Sequence, residues 1–308
     1  GDNPHSNDWV KMADRLILGC GYVGREVAMR WLAQGDRVFA VTRSEDRALE
    51  LDSLGILPIC WNWYEDFSGN DHLSECSTVL ISVSHAAQSH LPAAETHVAG
   101  LRRLVNNSLG SRIRSAKWIY LSTTGVYGET GDSGWVDEHS PCGPSRTGSV
   151  AAWAAEQWIQ QTIPALQRLI LRPAGIYGPG RVPNWKSIRD ETPLAIDPES
   201  YLNLVHVTDL AECIVEMAER VCQHELYCVS DGSPTTRREY YSFISDLGDW
   251  PQPVFSQDPS THPTSTRKSG NKRVSSARLH RELSYRFQYP SYREGLRHVL
   301  REFLENDS

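Results

Sequence analysis

The sequence predicts an α/β fold, a doubly wound parallel sheet with a smaller C-terminal lobe. Two observations predict it. Short apolar runs alternate with helical stretches through roughly the first 230 residues, the pattern that gives parallel strands joined by crossover helices. The first of these runs, Arg15-Leu16-Ile17-Leu18, ends in Gly19-Cys20-Gly21-Tyr22-Val23-Gly24 and opens onto helical Arg25–Gln34. That is a strand, a tight glycine turn and a helix N-terminus.

The remaining elements follow in order. Strands are predicted over residues 37–41, 56–61, 78–83, 118–122, 168–172 and 225–229, the fifth of these closed by Pro173. None alternates cleanly between apolar and polar, as expected of strands buried on both faces. Helices are predicted between them, over residues 45–54, 91–109, 149–161 and 207–221. From Thr235 the pattern changes to a helix near residues 236–247, a Pro/Ser/Thr-rich loop over 251–268, and an amphipathic helix over 292–305. The division expected is a core of residues 13–180 completed by 203–230. Residues 181–202 with 231–308 would form the small lobe over the carboxyl edge of the sheet.

The glycine turn carries the chemistry. Gly19 permits the sharp turn, Gly21 lets a diphosphate approach the backbone, and Gly24 lets the helix pack against the strand. The helix N-terminus presents unpaired N–H groups and positive dipole to phosphate. With its strand and helix flanks this is a Rossmann-type dinucleotide site, with Tyr22 and Val23 beside the ligand. The end of the second strand selects the nucleotide. A carboxylate there would bind the ribose 2′-hydroxyl of NAD and repel the 2′-phosphate of NADP. Val41-Thr42-Arg43-Ser44 has none before Glu45. Arg43 suits a phosphate, with Ser44 beside it and Arg47 one helical turn on. The expectation is NADP(H) over NAD(H).

Bulk properties exclude several classes. Charged residues are 22%, hydrophobic residues 40%, and the net charge is -7. No basic block points to nucleic acid. No apolar run approaches the ~20 residues of a membrane helix. Residues 1–14 are polar and lack the apolar core of a signal peptide, and those ahead of Met12 are left outside the predicted fold. The 7 cysteines are scattered, odd in number and without a CxxC. No metal site or disulfide framework is expected, and a reducing, cytoplasmic setting fits. The 10 tryptophans are dispersed and read as packing residues.

Four ordered segments resemble the extended short-chain dehydrogenase/reductase family, also called the NAD-dependent epimerase/dehydratase family. They are the glycine turn, Tyr120-Leu121-Ser122-Thr123-Thr124-Gly125-Val126-Tyr127-Gly128, Leu171-Arg172-Pro173-Ala174-Gly175-Ile176-Tyr177-Gly178-Pro179-Gly180, and Leu204-Val205-His206-Val207-Thr208-Asp209. The resemblance implies that Ser122, Pro173, Gly175 and Ile176 lie against the dinucleotide. It implies that Thr123 stands at the active-site hydroxyl position, and that His206 and Asp209 are structural. The family's Tyr and Lys, four residues apart on a helix, are missing. Alignment on Ala155-Glu156-Gln157 puts Gly148 and Ala152 in their places, and neither moves a proton. The chain is therefore similar to atypical members that lack the pair, as are Asn271-Lys272-Arg273-Val274-Ser275 and the segment from Tyr289 to Leu296.

The candidates to replace the pair are Thr123, which orients a carbonyl, and Tyr127, Tyr177 and His85, which carry titratable groups near the sheet's carboxyl edge. Lys186 and Arg189 are candidates for an anionic substrate, with solvated surface charges as the alternative. The function expected is an NADP-dependent, epimerase/dehydratase-like oxidoreductase acting on a small polar carbonyl or imine. The alternative is a non-catalytic NADP(H)-binding sensor or partner subunit. The resemblance also suggests a homodimer through the helices near 91–109 and 149–161.

Overall fold

The computed structural model describes residues 12–67, 69, 73–84, 91–129, 134–256 and 270–306. Seven strands form one sheet: β1 (Asp14–Leu18), β2 (Arg37–Thr42), β3 (Leu57–Cys60), β4 (Thr78–Ile81), β5 (Lys117–Leu121), β6 (Arg168–Pro173) and β7 (Leu226–Val229). Their spatial order is β7-β6-β5-β4-β1-β2-β3, and every neighbouring pair is parallel. The order reverses between β1 and β4, where Leu18 pairs with both Val41 and Ile81. A crevice opens at such a reversal beyond the carboxyl ends of the strands. Pro58 lies in β3, at the sheet's edge, where a missing N–H is tolerated.

Helices cover both faces. On one side α1 (Tyr22–Ala33) and a helix over Val207–Glu219, here α5, bury Val27, Trp31, Leu210 and Ile214 against the sheet. On the other, α3 (Ala93–Asn106) and α4 (Thr147–Thr162) bury Leu101, Leu104, Ala155 and Ile159. The small-residue face of α4 is thus used within the chain: Ala151 and Ala155 are buried, whereas Val150 is exposed. α2 (Glu45–Ser53) follows β2 and is capped by Ser44. The long helix expected over 91–109 is interrupted. Asn107 leaves helical geometry and caps a separate short helix, Ser108–Arg112, by accepting from the Leu109 N–H at 2.9 Å.

A third cluster lies beyond the carboxyl edge. It joins Tyr177, Ile188 and Leu204 to α6 (Arg237–Gly248), through Tyr240 and Ile244, and to α7 (Tyr292–Asn306), through Leu296 and Val299. A buried carboxylate ties this end of the chain down. Asp209, in the first turn of α5, accepts from the Tyr285 hydroxyl at 2.6 Å and from the Gln288 and Tyr289 N–H groups at 2.8 and 3.0 Å. Its charge is also favoured by the helix dipole.

Candidate functional site

The glycine turn faces the crevice. Gly19 has φ +81°, and a Cβ there would lie 2.4 Å from the Ser82 carbonyl oxygen, so only glycine fits. Gly24 packs α1 onto the turn, with a Cβ position 2.8 Å from the Gly19 carbonyl oxygen. Gly21 meets nothing within 4 Å and opens to the crevice. A cavity of ≈ 440 Å³ follows, lined by Gly19, Gly21, Thr42, Arg43, Arg47 and Trp63 among others.

Arg43 is exposed on this cavity and has no carboxylate partner among the described residues. Arg47 plays a different part. It donates to the Cys20 carbonyl at 2.5 Å and pairs with Glu50 at 2.8 Å, while Glu50 also holds Arg25 at 2.7 Å. Arg47 therefore braces the glycine turn as well as lining the cavity. Its hydrogen bond to Glu50 is the main reason that carboxyl sits below its ordinary range. Ser44 stands outside the cavity lining; its hydroxyl caps α2 by accepting from the Arg47 N–H at 3.2 Å. Burial raises the Cys20 thiol to about 11, which makes it a poor nucleophile.

The crevice continues into a second cavity of ≈ 390 Å³. Its walls include Val23, Ser122, Thr123, Pro173, Ile176 and Tyr22. Tyr22 donates to the Pro179 carbonyl at 2.8 Å, and the Arg181 guanidinium lies 4.4 Å from its ring centroid. Gly148 and Ala152 line this cavity one helical turn apart. Neither residue carries a group that can move a proton. Two residues that the sequence reading missed line the cavity as well: His97, from α3, and Tyr120, from β5, with His97 Nε2 2.9 Å from the Tyr120 hydroxyl. Burial raises the Tyr120 phenol above its ordinary range, so it stays protonated.

Beneath this cavity runs a buried polar chain. Ser122 donates to Glu156 at 2.6 Å. Glu156 receives Arg172 through both its oxygens, at 2.8–3.2 Å. Arg172 donates to the Tyr127 hydroxyl at 3.0 Å, and that hydroxyl lies 3.0 Å from the Cys228 sulfur. Tyr127 is thereby corrected as a catalytic candidate. It is 4% exposed, its hydroxyl is engaged inside the protein, and burial raises its pKa. Tyr177 is corrected too. It is 0% exposed, its ring stands edge-on to His206, and its hydroxyl reaches the Ser291 carbonyl at 3.4 Å. His85 lies outside the described residues. Lys186 and Arg189 lie against the Trp185 ring, and Arg189 pairs with Asp190. Neither lines any of the cavities described here.

Thr123 also lines a third cavity, of ≈ 230 Å³, on its other side. Its hydroxyl accepts from the Gly125 N–H at 3.0 Å, which leaves its proton available to a ligand. Gly175, Arg146, Arg237 and Lys272 contribute to the same cavity. Among the described residues no cluster of His, Cys, Asp and Glu could hold a metal ion, and no helix is long and apolar enough to cross a membrane.

The model of the NAD dependent epimerase/dehydratase family matches residues 16–229. The chain belongs to that family. Its relatives include Protein YeeZ of Escherichia coli K12, 27% identical over 283 residues, which span 89% of this chain and 95% of that protein. A ketoreductase of Stigmatella aurantiaca, acting on 4-hydroxy-2-methyl-3-oxo-4-farnesyl-3,4-dihydroquinoline-1-oxide, is 26% identical over 238 residues, 73% of this chain and 70% of its own. Among solved structures, a conserved protein of unknown function from Silicibacter pomeroyi superposes with a TM-score of 0.76 at 27% identity, covering 94% of this chain and 99% of that one. The epimerase/dehydratase family frame accounts for the sheet order, for the glycine turn at the reversal, and for the crevice between them. It makes a nicotinamide dinucleotide the cofactor class that the crevice serves.

Proposed function

We propose that this chain is an oxidoreductase that prefers NADP(H) and acts on a small polar carbonyl or imine, with a proton donor other than the missing Tyr-Lys pair. The observation that carries the reading is the position of Thr123. It stands between the cavity that continues from the glycine turn and a separate, side-chain-lined cavity. A substrate seated in one would meet a nicotinamide seated in the other. The open Gly21 face and the first turn of α1 would hold the diphosphate, and Arg43 the 2′-phosphate. Pro173 and Ile176 would face the nicotinamide. When bound, that ring gives or accepts the hydride.

The chain's own residues then orient and protonate. Thr123 donates a hydrogen bond to the substrate oxygen and orients it. We assign the proton source to His97, whose imidazole lines the same cavity as Thr123 with its Nε2 2.9 Å from the Tyr120 hydroxyl. Residues 181–202 and 231–308 would form the lobe that selects the substrate. The ketoreductase relative supports carbonyl reduction as the reaction class.

The test is NADPH oxidation against a panel of small carbonyl and imine compounds. Thr123→Val is expected to lower the turnover by about tenfold or more, with NADPH affinity unchanged. His97→Gln should alter the pH profile of kcat. The bare Gly148–Ala152 face favours one competing reading, a dinucleotide-binding sensor. Tight NADPH binding with no turnover on any substrate would establish that reading instead.

A further inference from the structure

We propose that Tyr22 and the turn of residues 178–181 form a clasp at the solvent edge of the ≈ 390 Å³ cavity, and that its opening sets how fast a dinucleotide enters and leaves. The proposal deepens the oxidoreductase reading, and rests on it for the identity of the ligand. Tyr22 and Arg181 both line the cavity; Tyr22 is half-buried and Arg181 exposed, so their contact stands at its rim.

The two halves of the clasp come from distant parts of the chain. Tyr22 is the first residue of α1, next to the open face of Gly21. The turn follows Gly175–Tyr177, the segment that brings Ile176 into the cavity. Pro179 and Gly180 stand at its corners, Gly180 with φ +74°, as a type II turn requires. It is closed by the Arg181 N–H on the Gly178 carbonyl at 2.9 Å and the Gly178 N–H on the Arg181 carbonyl at 3.1 Å. The tip of this turn meets Tyr22 twice. The Tyr22 hydroxyl donates to the Pro179 carbonyl at 2.8 Å, and the Arg181 guanidinium lies 4.4 Å from the ring centroid. Gly178 permits the approach, because a Cβ there would lie 2.8 Å from the Tyr22 hydroxyl oxygen. Burial, against the charge of Arg181, raises the Tyr22 phenol to about 12, so its hydroxyl stays a donor at neutral pH.

The flanks of the turn are fixed, since Tyr177 and Val182 are buried in the third cluster. Pro179, Gly180 and Arg181 are exposed. Opening is therefore a local event in which the Tyr22 ring and the Arg181 side chain turn away. It breaks one hydrogen bond and one cation–π contact at the surface, and both are weak there. The clasp joins α1, whose first turn would hold the diphosphate, to the segment whose Ile176 would face the nicotinamide. It thus spans the middle of a dinucleotide bound along the crevice. It is closed in the free chain, so breaking it eases entry as well as exit.

The test is stopped-flow association and release of NADPH on the full chain, with thermal melting to show that each variant is folded. Tyr22→Phe keeps the ring and loses the bond to Pro179; Tyr22→Leu loses both contacts. The clasp predicts that association and release quicken together, by about fivefold in Tyr22→Phe and by more in Tyr22→Leu, with the equilibrium affinity nearly unchanged. Arg181→Ala should quicken both rates, and Arg181→Lys, which keeps a cation for the ring, should restore them. Unchanged rates overturn the clasp. So does faster release with unaltered association, which would make these side chains direct ligand contacts. A second measurement needs no nucleotide. In the NMR spectrum of the free chain the Tyr22 ring should shift the Arg181 side-chain protons upfield, and Tyr22→Leu should abolish that shift. Its absence from the native chain overturns the clasp. Its presence in a chain that binds no NADPH would sink the cofactor reading and leave the clasp standing.

Discussion

The two ends of the crevice are built from different materials. The end at the glycine turn is mostly backbone: three glycines, a helix N-terminus and one exposed arginine. Its parts are adjacent in sequence, between Gly19 and Arg47. The end beyond Thr123 draws on side chains from distant segments, among them Arg146, Arg237 and Lys272. A backbone-built site depends on turn geometry more than on side-chain chemistry. A side-chain-built site can change its chemistry without disturbing the sheet.

The largest expected effect separates the ends by stability. Glu156→Ala leaves Arg172 charged, buried and unpaired. It should cost about 3–5 kcal/mol in urea unfolding and release Ser122 from its hydrogen bond. A loss below about 1 kcal/mol would mean that the polar chain beneath the second cavity is dispensable.

A smaller effect comes from His206, at the N-cap of α5. Its Nδ1 accepts from the Thr208 N–H at 3.1 Å, so the ring is neutral in the folded protein. Burial, helped by the charges of His298 and Arg30, lowers its pKa to about 4. The unfolded chain takes up a proton near pH 6.5, whereas the folded chain does not until near pH 4. Stability from this group is therefore full above pH 6.5 and is lost as the pH falls toward 4. Between pH 7 and 5 the loss is about 2 kcal/mol. His206→Asn keeps a capping acceptor and should flatten that part of the unfolding profile by the same amount. An unchanged profile would place the pH dependence elsewhere.

The same contrast explains what was legible in the sequence. All seven strands fall on apolar runs, because strands covered on both faces, as the inner ones are, leave continuous hydrophobic stretches; edge strand β3 is partly exposed. The glycine turn was legible because its spacing is a local steric requirement. That Gly148 and Ala152 share a face was legible because a helix fixes which residues stand one turn apart. Tyr127 and Tyr177 misled because chain position puts them at the sheet's carboxyl edge, while packing turns both rings inward. The signal for Tyr127 was Arg172 inside an apolar strand, which demands buried partners. His97 reads as an ordinary helical residue until α3 is laid beside β5. Lys272 and Arg146 meet only when distant segments are assembled.

The smallest expected effect is also the most direct test. Binding of NADPH and NADH should be measured by calorimetry on the native chain and on Arg43→Ala. The account predicts micromolar NADPH binding, weaker NADH binding, and a loss of about tenfold or more for NADPH alone in the variant, a change of about 1.4 kcal/mol. Failure of the native chain to bind either nucleotide would contradict the reading of the crevice as a dinucleotide site.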